Sequence, residues 1–358
     1  MDYRARQARL RERIEREGLD ALLVTHLPNI RYLTGFSGSN ALLLAAGKHC
    51  TLFTDSRYRE QAAAEVQAAS VVIPAKGDLW KAAGQRGARL KRLGIESDRV
   101  SVAQRARLLK HWPQAQRGLK PVAGWIEAQR AIKEPKEIAA IRRAVELASS
   151  VYPEALEKIT PGTPETAAAG WLEYCLRRAG GEGLSFETIL ASGPRSALVH
   201  GRASAAPLPR KGFVVMDYGV VLDGYVSDMT RTVHLGSAGR KERTVYASVL
   251  AAQLEAIGAV RAGATAASVD RAARQRLRRE GWGQFFSHST GHGVGLEVHE
   301  APRLAATSKE TLAAGQVITI EPGVYIPGWG GVRIEDVVLV TERGAEVLTP
   351  TPKELLEL

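Results

Sequence analysis

The sequence predicts a mixed α/β (α+β) protein with two domains, and three observations support this interpretation. Short apolar runs alternate with helical patterns through the first third of the chain. Two long hairpin patterns, each beside a pair of helical patterns, occupy much of the remainder. Residues 1–130 contain 23 Lys and Arg against 12 Asp and Glu, whereas residues 131–358 contain 26 of each, so the whole excess of +11 lies in the first part. We therefore predict an N-terminal domain over 1–125, a linker over 126–134 and a second domain over 135–358.

The composition is typical of a globular protein, because 45% of the 358 residues are hydrophobic and 24% are charged. No run of 18 apolar residues occurs, and the Arg/Glu-rich N-terminus lacks the apolar segment of a secretory signal. Cys50 and Cys175 have no zinc-site spacing, so we expect reduced thiols and a cytoplasmic protein without a membrane partner. The basic residues of the first domain are not interleaved with aromatic residues, which favours a solvated surface over a specific nucleic-acid face.

The elements of the first domain follow from local patterns. Residues 2–18 predict an amphipathic helix, the apolar run 20–26 predicts a buried strand, and the glycine-containing segment 28–40 predicts a loop. Residues 41–55 predict two strands around a turn. The remaining predicted elements are a helix over 56–66, a strand over 70–75, a helix over 78–93 and a strand that begins at 94.

The second domain is predicted to begin with a helix after Pro135, because apolar residues recur at helical spacing. A second helix is predicted to start with Thr163 as its N-cap and Pro164 at its first position, and to end at the glycines 180–181. Further strands are predicted over 187–192, 213–235, 316–326 and 332–341, with helices over 239–261 and 268–280. Helix pairs followed by strands occur twice, which indicates pseudo-two-fold halves.

Residues 213–235, FVVMDYGVVLDGYVSDMTRTVHL, predict a hairpin, because Asp223-Gly224 separates two alternating apolar runs. A turn at this point pairs residue 217 with about residue 230. Asp217 and Asp228 then lie a two-residue diagonal apart on one face, since side chains alternate with period two. Two adjacent acids repel each other, so we expect a positive group between them.

Residues 317–340, VITIEPGVYIPGWGGVRIEDVVLV, repeat this arrangement. Glu321 and Glu335 lie seven residues on either side of Gly328, in the centre of the predicted turn. A second carboxylate pair is therefore expected to face across a second hairpin. If the two hairpins meet, four negative charges share one region, and burial of that many charges requires cations.

Three of the eight histidines, His288, His292 and His299, lie within the segment HSTGHGVGLEVHE. Histidine serves both as a metal ligand and in proton transfer, and the segment alone leaves both roles open. Four carboxylates and a histidine exceed the ligand number of one tetrahedral zinc. The set suits two divalent metal ions about 3–4 Å apart, with Mn²⁺ preferred and Co²⁺ or Zn²⁺ as alternatives. A bridging hydroxide is a nucleophile, which predicts hydrolysis of a carbonyl or phosphoryl ester or amide.

Read in order, the motifs MDYG, SDMTRT, HSTGHGVGLEVHE, TIEPGVY and GVRIEDVV resemble those of the pita-bread metallopeptidases, with ASGPRSALVHGR as a sixth. This family includes methionine aminopeptidase, aminopeptidase P and prolidase. The first 125 residues, with YLTGFSGSNALLL and LFTDSRYREQA, resemble the creatinase-like N-terminal domain of the Xaa-Pro peptidases, which methionine aminopeptidases lack. The resemblance implies that N-terminal α/β domain followed by a pita-bread catalytic domain. Creatinase itself shares both domains and lacks the metal ligands.

The resemblance also implies roles for individual residues. Asp217 matches the ligand that binds one metal through both oxygens, Asp228 and Glu335 match the bridging pair, and His292 and Glu321 match the ligands of the other metal. Further matches fall outside this ligand set: His200 beside the substrate carbonyl, His299 beside that carbonyl or the proline side, His288 at the specificity pocket, and Arg333 as the arginine behind the ligands. Glu321 is also expected to transfer the proton. One departure is Val199 before His200, where relatives often have proline.

The implied function is a dinuclear-metal Xaa-Pro peptidase that cleaves between an N-terminal residue and a following proline. Its expected partners are peptides with proline at the second position and a second copy of the chain, in a homodimer or larger homo-oligomer. We expect an aminopeptidase P-like enzyme, with an Xaa-Pro dipeptidase (prolidase) as the alternative and a non-catalytic binding protein of the same fold as a remote one. Arg303 is either a reader of the substrate carboxylate or a surface arginine. Tyr325 and Trp329 are either walls of the proline pocket or core residues.

Overall fold

The computed structural model describes residues 1–75 and 77–358 and divides into two compact units, Met1–Arg130 and Ala131–Leu358. Helix Trp125–Ala131 occupies much of the segment predicted as a linker, 126–134. The domain limits at 125 and 135 stay a prediction. No helix in the described residues is both long and apolar enough to cross a membrane.

The first unit is built on one mixed six-stranded sheet. Its strand order is β4-β3-β2-β1-β5-β6, in which the pairs β1–β2 and β2–β3 are antiparallel and the pairs β3–β4, β1–β5 and β5–β6 are parallel. The strands are β1 Ala21–Val24, β2 Ala41–Ala46, β3 His49–Thr54, β4 Ser70–Val72, β5 Leu93–Glu96 and β6 Leu119–Val122, and the helices are α1 Tyr3–Arg16, α2 Leu27–Thr34, α3 Arg59–Glu65, α4 Leu79–Arg86, α5 Val102–His111 and α6 Trp125–Ala131. The predicted α/β character of this region is confirmed.

The loop predicted over 28–40 is wrong for its first part, which is helix α2. Proline lies in the first turn of this helix, where its missing N–H costs nothing, and Gly35 ends it in the left-handed conformation at φ 85°. The helix is short and buries Ile30, Tyr32 and Leu33, so its tertiary packing stabilises a segment whose local pattern resembles a loop.

The second unit contains two helix-and-strand halves, each with its own hydrophobic core. The first half comprises α7 Pro135–Ser150, α8 Tyr152–Ala155, α9 Glu165–Arg178, β7 Gly183–Leu184, β8 Ile189–Ser192, β9 Gly212–Tyr218, β10 Val220–Leu222, β11 Tyr225–Val226 and β12 Met229–Leu235. The second half comprises α10 Arg240–Gly258, α11 Ala266–Arg279, β13 Gly291–Gly293, β14 Glu300–Leu304, β15 Val317–Ile320, β16 Gly323–Ile326, β17 Gly330–Arg333, β18 Asp336–Val340 and β19 Ala345–Val347. This repetition agrees with the pseudo-two-fold halves that the sequence indicates.

The predicted start of helix α9 is wrong by one residue. The helix begins at Glu165, Pro164 occupies the cap position without a side-chain hydrogen bond, and the Thr163 hydroxyl pairs with that of Thr160 instead. The first N–H groups of the helix are satisfied by backbone carbonyls of a distant segment, because Glu165 N donates to Ala206 O and Thr166 N donates to Ser204 O. Tertiary contacts therefore replace the local threonine cap.

Both hairpins have the predicted register, and both split into two strand pairs. In the first, residue 217 pairs with 230 and 222 pairs with 225, as predicted. In the second, 320 pairs with 336 and 323 with 333, so Glu321 and Glu335 are opposite each other in the interruption between the two pairs. Asp228, Glu321 and Glu335 therefore lie where the ladders are interrupted, whereas Asp217 lies within a paired strand.

The two hairpins contact each other directly. The backbone N–H of Glu335 donates to Thr230 O at 3.1 Å, and the Thr232 hydroxyl donates to Arg333 O at 2.8 Å. Gly219 permits the first hairpin to close at its interruption, because a Cβ there would lie 2.0 Å from Ser227 O. Because the two hairpins meet, their four carboxylates lie in one region of the fold.

Candidate metal centre

One cleft of about 750 Å³ in the second unit brings the predicted site residues together. Its lining contains every residue predicted as a ligand or catalytic group: His200, Asp217, Asp228, His288, His292, His299, Glu321, Arg333 and Glu335. They come from the His200 loop, from both hairpins and from the strands around His292, so only the folded second unit assembles them.

The tightest cluster within the cleft consists of Asp228, His292 and Glu335, each of which offers one ligand atom within 4.8 Å of the others. Glu321 joins from the second hairpin, with its Oε1 3.5 Å from His292 Nε2, and Asp228 Oδ2 lies 3.6 Å from the same nitrogen. Asp217 lies outside the tightest cluster. Carboxylate oxygens and one imidazole nitrogen of this kind suit borderline divalent cations.

The imidazole of His292 is oriented for metal ligation by its backbone. Its Nδ1 lies 3.0 Å from Gly293 O and donates to that carbonyl, which leaves the lone pair of Nε2 directed at the carboxylates. Burial lowers the pKa of His292 to about 4, so the ring is neutral. The flanking glycines are required by close strand packing, because a Cβ at Gly291 would lie 1.9 Å from Thr319 O and one at Gly293 would lie 2.2 Å from Ala301 O.

The carboxylates cannot all be charged without a compensating cation. Burial and then the neighbouring carboxylates raise the pKa of Asp228 and that of Glu335 well above the ordinary range. Burial also raises the pKa of Glu321 to about 8. Asp217 Oδ1 is buried and has no hydrogen-bond partner among the described residues. These features fit a site for divalent metal ions, which neutralise the acids and supply a partner for the orphaned oxygen.

Arg333 lies behind the carboxylates and connects them to His288. Its Nη2 donates to Asp217 Oδ2 at 2.5 Å, its Nε donates to the Thr230 hydroxyl, and that hydroxyl donates to Glu335 Oε2 at 2.7 Å. Its Nη1 donates to the Tyr325 hydroxyl at 2.8 Å, and this hydroxyl lies 2.9 Å from His288 Nε2. The guanidinium therefore orients carboxylates from both hairpins and fixes one histidine.

The three remaining histidines face the cleft without joining the tight cluster. Tyr325 donates to His288 Nε2, since His288 Nδ1 donates to Ser289 O at 2.8 Å, and burial lowers the pKa of His288 to about 4. The His299 ring lies 4.4 Å from the His292 ring, and burial lowers the pKa of His299 as well. His200 lies on an exposed loop. All three can contact a bound substrate in the cleft.

Sequence reasoning missed Thr230 and left the positions of Tyr325 and Trp329 open between the pocket wall and the core. Thr230, the hydroxyl bridge between Arg333 and Glu335, carries no signal because threonine is common in strands. Tyr325 is a hydrogen-bond bridge rather than a wall of the cleft. Trp329 is partly buried and packs against the core, with its ring 5.7 Å from that of Phe213.

The fold and the site together define a class of protein: a two-domain α/β protein whose second unit carries a buried cluster of carboxylates and a histidine suited to divalent cations. The model of metallopeptidase family M24 matches residues 139–342, and that of the creatinase/prolidase N-terminal domain matches residues 6–132. The chain therefore belongs to metallopeptidase family M24, and the expected N-terminal domain and pita-bread catalytic domain are confirmed. Divalent metal use follows from the family.

Three relatives show how far the similarity extends. The Xaa-Pro dipeptidase of Pyrococcus horikoshii is 38% identical over 350 residues, which cover 96% of this chain and 97% of that protein. The solved structure of an Xaa-Pro dipeptidase from Bacillus anthracis has a TM-score of 0.96 at 36% identity and covers 100% of both chains. An X-Pro aminopeptidase from Thermotoga maritima has a TM-score of 0.89 at 35% identity, over 97% of this chain and 100% of that one. Two of these three relatives are named dipeptidases, and solved prolidase structures from Pyrococcus horikoshii and Pyrococcus furiosus also match, which favours the dipeptidase alternative over the aminopeptidase P-like interpretation.

Proposed function

We propose that the protein is an Xaa-Pro dipeptidase, which hydrolyses the bond between an N-terminal residue and proline in peptides of two residues. The observation that carries the proposal is the cleft itself, whose lining includes both the buried carboxylate-and-histidine cluster and Arg303. The dipeptidase names of the relatives in Pyrococcus horikoshii and Bacillus anthracis support the same conclusion.

Arg303 supplies a reason to prefer a dipeptide over a longer peptide. It lies in β14 opposite His292 of β13, so its side chain starts one strand away from the proposed metal ligand. It is exposed in the cleft, and in the described part of the chain its guanidinium has no carboxylate partner. A dipeptide carries its carboxylate directly on the proline, and a guanidinium binds a carboxylate through two parallel hydrogen bonds.

We propose that Asp217, Asp228, His292, Glu321 and Glu335 hold two divalent metal ions, with Mn²⁺ preferred. Metal ions bound there supply a Lewis acid and lower the pKa of water that they bind. Arg333 holds Asp217 and, through Thr230, holds Glu335, so the protein fixes the ligand positions before a substrate arrives.

The protein's own groups carry the remaining chemistry. Glu321 accepts a proton from the attacking water at a carboxylate oxygen and delivers it to the nitrogen of the departing proline. His200 and His299 line the cleft and donate to the carbonyl oxygen of the substrate as it gains negative charge. The scissile bond of an Xaa-Pro peptide has no N–H, so recognition of the proline ring depends on shape. Phe186, Ile189 and Val298 give the cleft its apolar lining.

The decisive experiment compares an Xaa-Pro dipeptide, its Xaa-Pro amide and an Xaa-Pro-Xaa tripeptide as substrates of the Mn²⁺-loaded enzyme. We expect the dipeptide to have the highest kcat/KM. Arg303→Met should lower kcat/KM about tenfold for the dipeptide, and much less for the uncharged amide, because a charge-assisted contact on an exposed group contributes about 1.4 kcal/mol.

Arg343→Met is the matched control, since this exposed arginine is not in the lining of the cleft. Higher kcat/KM for the tripeptide contradicts the dipeptidase proposal and favours aminopeptidase P-like activity. Removal of metal with a chelator should abolish hydrolysis and added Mn²⁺ should restore it, whereas full activity after chelation contradicts the metal centre. The expected homo-oligomer is tested by light scattering in the same samples.

A further inference from the structure

Glu165, the first residue of helix α9, is a fully buried acid that the chemistry above does not use. Its carboxylate accepts five hydrogen bonds. Oε1 accepts from the backbone N–H and the hydroxyl of Ser192 at 2.8 and 2.9 Å. Oε2 accepts from Arg195 Nε at 3.0 Å, and from the backbone N–H and hydroxyl of Ser204 at 3.1 and 2.7 Å. Both oxygens are therefore fully occupied inside the protein.

These donors lie on both sides of the segment that carries His200. Ser192 ends strand β8, Arg195 lies in the turn that follows, and Ser204 comes after His200 on the return of the chain. The carboxylate thus joins the two ends of the loop at its base. Arg195 strengthens the closure, because its Nη2 also donates to Arg202 O at 2.8 Å.

The buried carboxylate is not needed to begin its own helix. The N–H groups of Glu165 and Thr166 already donate to Ala206 O and Ser204 O. Backbone hydrogen bonds therefore satisfy the start of the helix without the carboxylate. A carboxylate at this position would ordinarily stay in solvent near the helix N-terminus. Here it is withdrawn from water, and the hydrogen bonds that offset its desolvation come from Ser192, Arg195 and Ser204, which flank the His200 segment.

A second anchor holds the loop on the side of the metal centre. Arg333 Nη1 donates to Val199 O at 3.1 Å, one residue before His200, and Gly331 N donates to the Ser196 hydroxyl at 2.8 Å. The backbone around His200 is therefore held by Glu165 at the base of the loop and by the second hairpin beside the cleft. Its own ring is exposed, so the position of the ring depends on its backbone.

We propose that Glu165 is a positioning residue for His200, which sets the distance of that imidazole from the substrate carbonyl. The proposal rests on the proposed function, since it assigns His200 a contact with the substrate. Small displacements of a catalytic group are costly, because a shift of about 1 Å lowers the rate by about 100-fold. Loss of the hydrogen bonds that Glu165 accepts should therefore slow catalysis without removing any proposed ligand of the metals.

The test is a double-mutant cycle in the Mn²⁺-loaded enzyme, with Glu165→Gln and His200→Ala singly and together. Glutamine has the same shape, removes the charge and replaces one acceptor oxygen with a donor. We expect Glu165→Gln to lower kcat about 10- to 100-fold, with less than a threefold change in KM and in bound metal. In the His200→Ala background the same substitution should change kcat less than twofold.

Glu173→Gln on the same helix is the matched control and should keep the wild-type rate, because Glu173 has no described contact with the loop. Additive losses in the double mutant contradict the proposal, as does a wild-type kcat for Glu165→Gln. If Glu165→Gln does not fold, Ser204→Ala removes only one hydroxyl donor and should give a smaller loss with the same dependence on His200.

A second readout separates this inference from the proposed function. A wild-type enzyme with no activity on Xaa-Pro peptides contradicts the proposed function alone. NMR of the Zn²⁺-loaded protein then reports the position of the His200 ring without any substrate. Its histidine ring signals are assigned by comparison with His200→Ala. Glu165→Gln should shift or broaden the His200 signal and leave that of buried His234 unchanged, whereas an unchanged His200 signal contradicts the inference.

Discussion

Replacement of Arg333 by methionine tests the electrostatic argument for the metal centre most directly. The Arg333 side chain is almost completely buried and makes hydrogen bonds with Asp217, Thr230, Tyr325 and the carbonyl of Val199. Methionine is of comparable length and removes the charge and every one of these donors. The buried acids then lose the cation that lies among them.

The expected loss follows from the burial of both partners. The Arg333 and Asp217 side chains are 2% and 11% exposed, and removal of one partner of such a pair costs about 3–5 kcal/mol. For a unit of this size, 1 kcal/mol corresponds to about 2–4 °C in Tm, so the metal-free variant should unfold about 6–20 °C below wild type. Bound Mn²⁺ neutralises the same acids. The loss of unfolding free energy caused by Arg333→Met should therefore be smaller by at least about 1 kcal/mol when the metal is present.

Urea unfolding and thermal scans of the metal-free and Mn²⁺-loaded proteins measure both quantities. The matched control is Arg343→Met, which changes an exposed arginine and should stay within about 0.5 kcal/mol of wild type. Equal losses for Arg333→Met with and without metal would refute the argument that arginine and metal neutralise one set of carboxylates. A loss below about 1 kcal/mol would show that the ion pair is not what holds Asp217.

Three further predictions concern other groups. His292→Ala should lose bound metal, measured by elemental analysis, whereas His288→Ala and His299→Ala should keep the metal and lose rate; retention of both metals by His292→Ala contradicts the ligand assignment. Burial raises the pKa of Glu96 above its ordinary value of 4.5, so the folded state keeps this proton at higher pH than the unfolded chain. The free energy of unfolding of the wild type should therefore fall relative to that of Glu96→Gln as pH rises above about 4.5. Urea midpoints measure this difference, and the opposite trend contradicts the raised pKa of Glu96. Burial raises the pKa of Cys50 to about 11, so a thiol reagent at pH 8 should label Cys50 only after unfolding, as mass spectrometry can check.

Much of the site could be predicted because its hairpins are local. An Asp-Gly turn and alternating apolar residues specified the register that pairs residue 217 with 230. The same reasoning set Glu321 opposite Glu335, although each ladder is interrupted there. Pairings across a tight turn depend on residues close in sequence, so the pattern of one segment contains the information.

Other features depend on residues that are distant in sequence. Glu165 appears in the sequence as an ordinary acidic residue in the first turn of a helix, and its bonds to Ser192 and Ser204 exist only in the folded unit. Helix α2 was missed because its flanking glycine and proline are typical of a loop, and burial of its apolar face decides its conformation. Local propensity cannot report such contacts.

The sequence by itself indicated which side chains gather in the cleft, because four carboxylates lie in two recognisable hairpins and the motif around His292 resembles that of a known family. It also specified the mixed α/β class and the motifs of the family. Only the tertiary structure decided that the hairpins meet through Thr232 and Arg333, that Tyr325 bridges to His288, and that a buried glutamate holds the His200 loop. The physical reason is that the residues concerned are brought together by core packing, and the periodicity of a single segment carries no information about its distant partners.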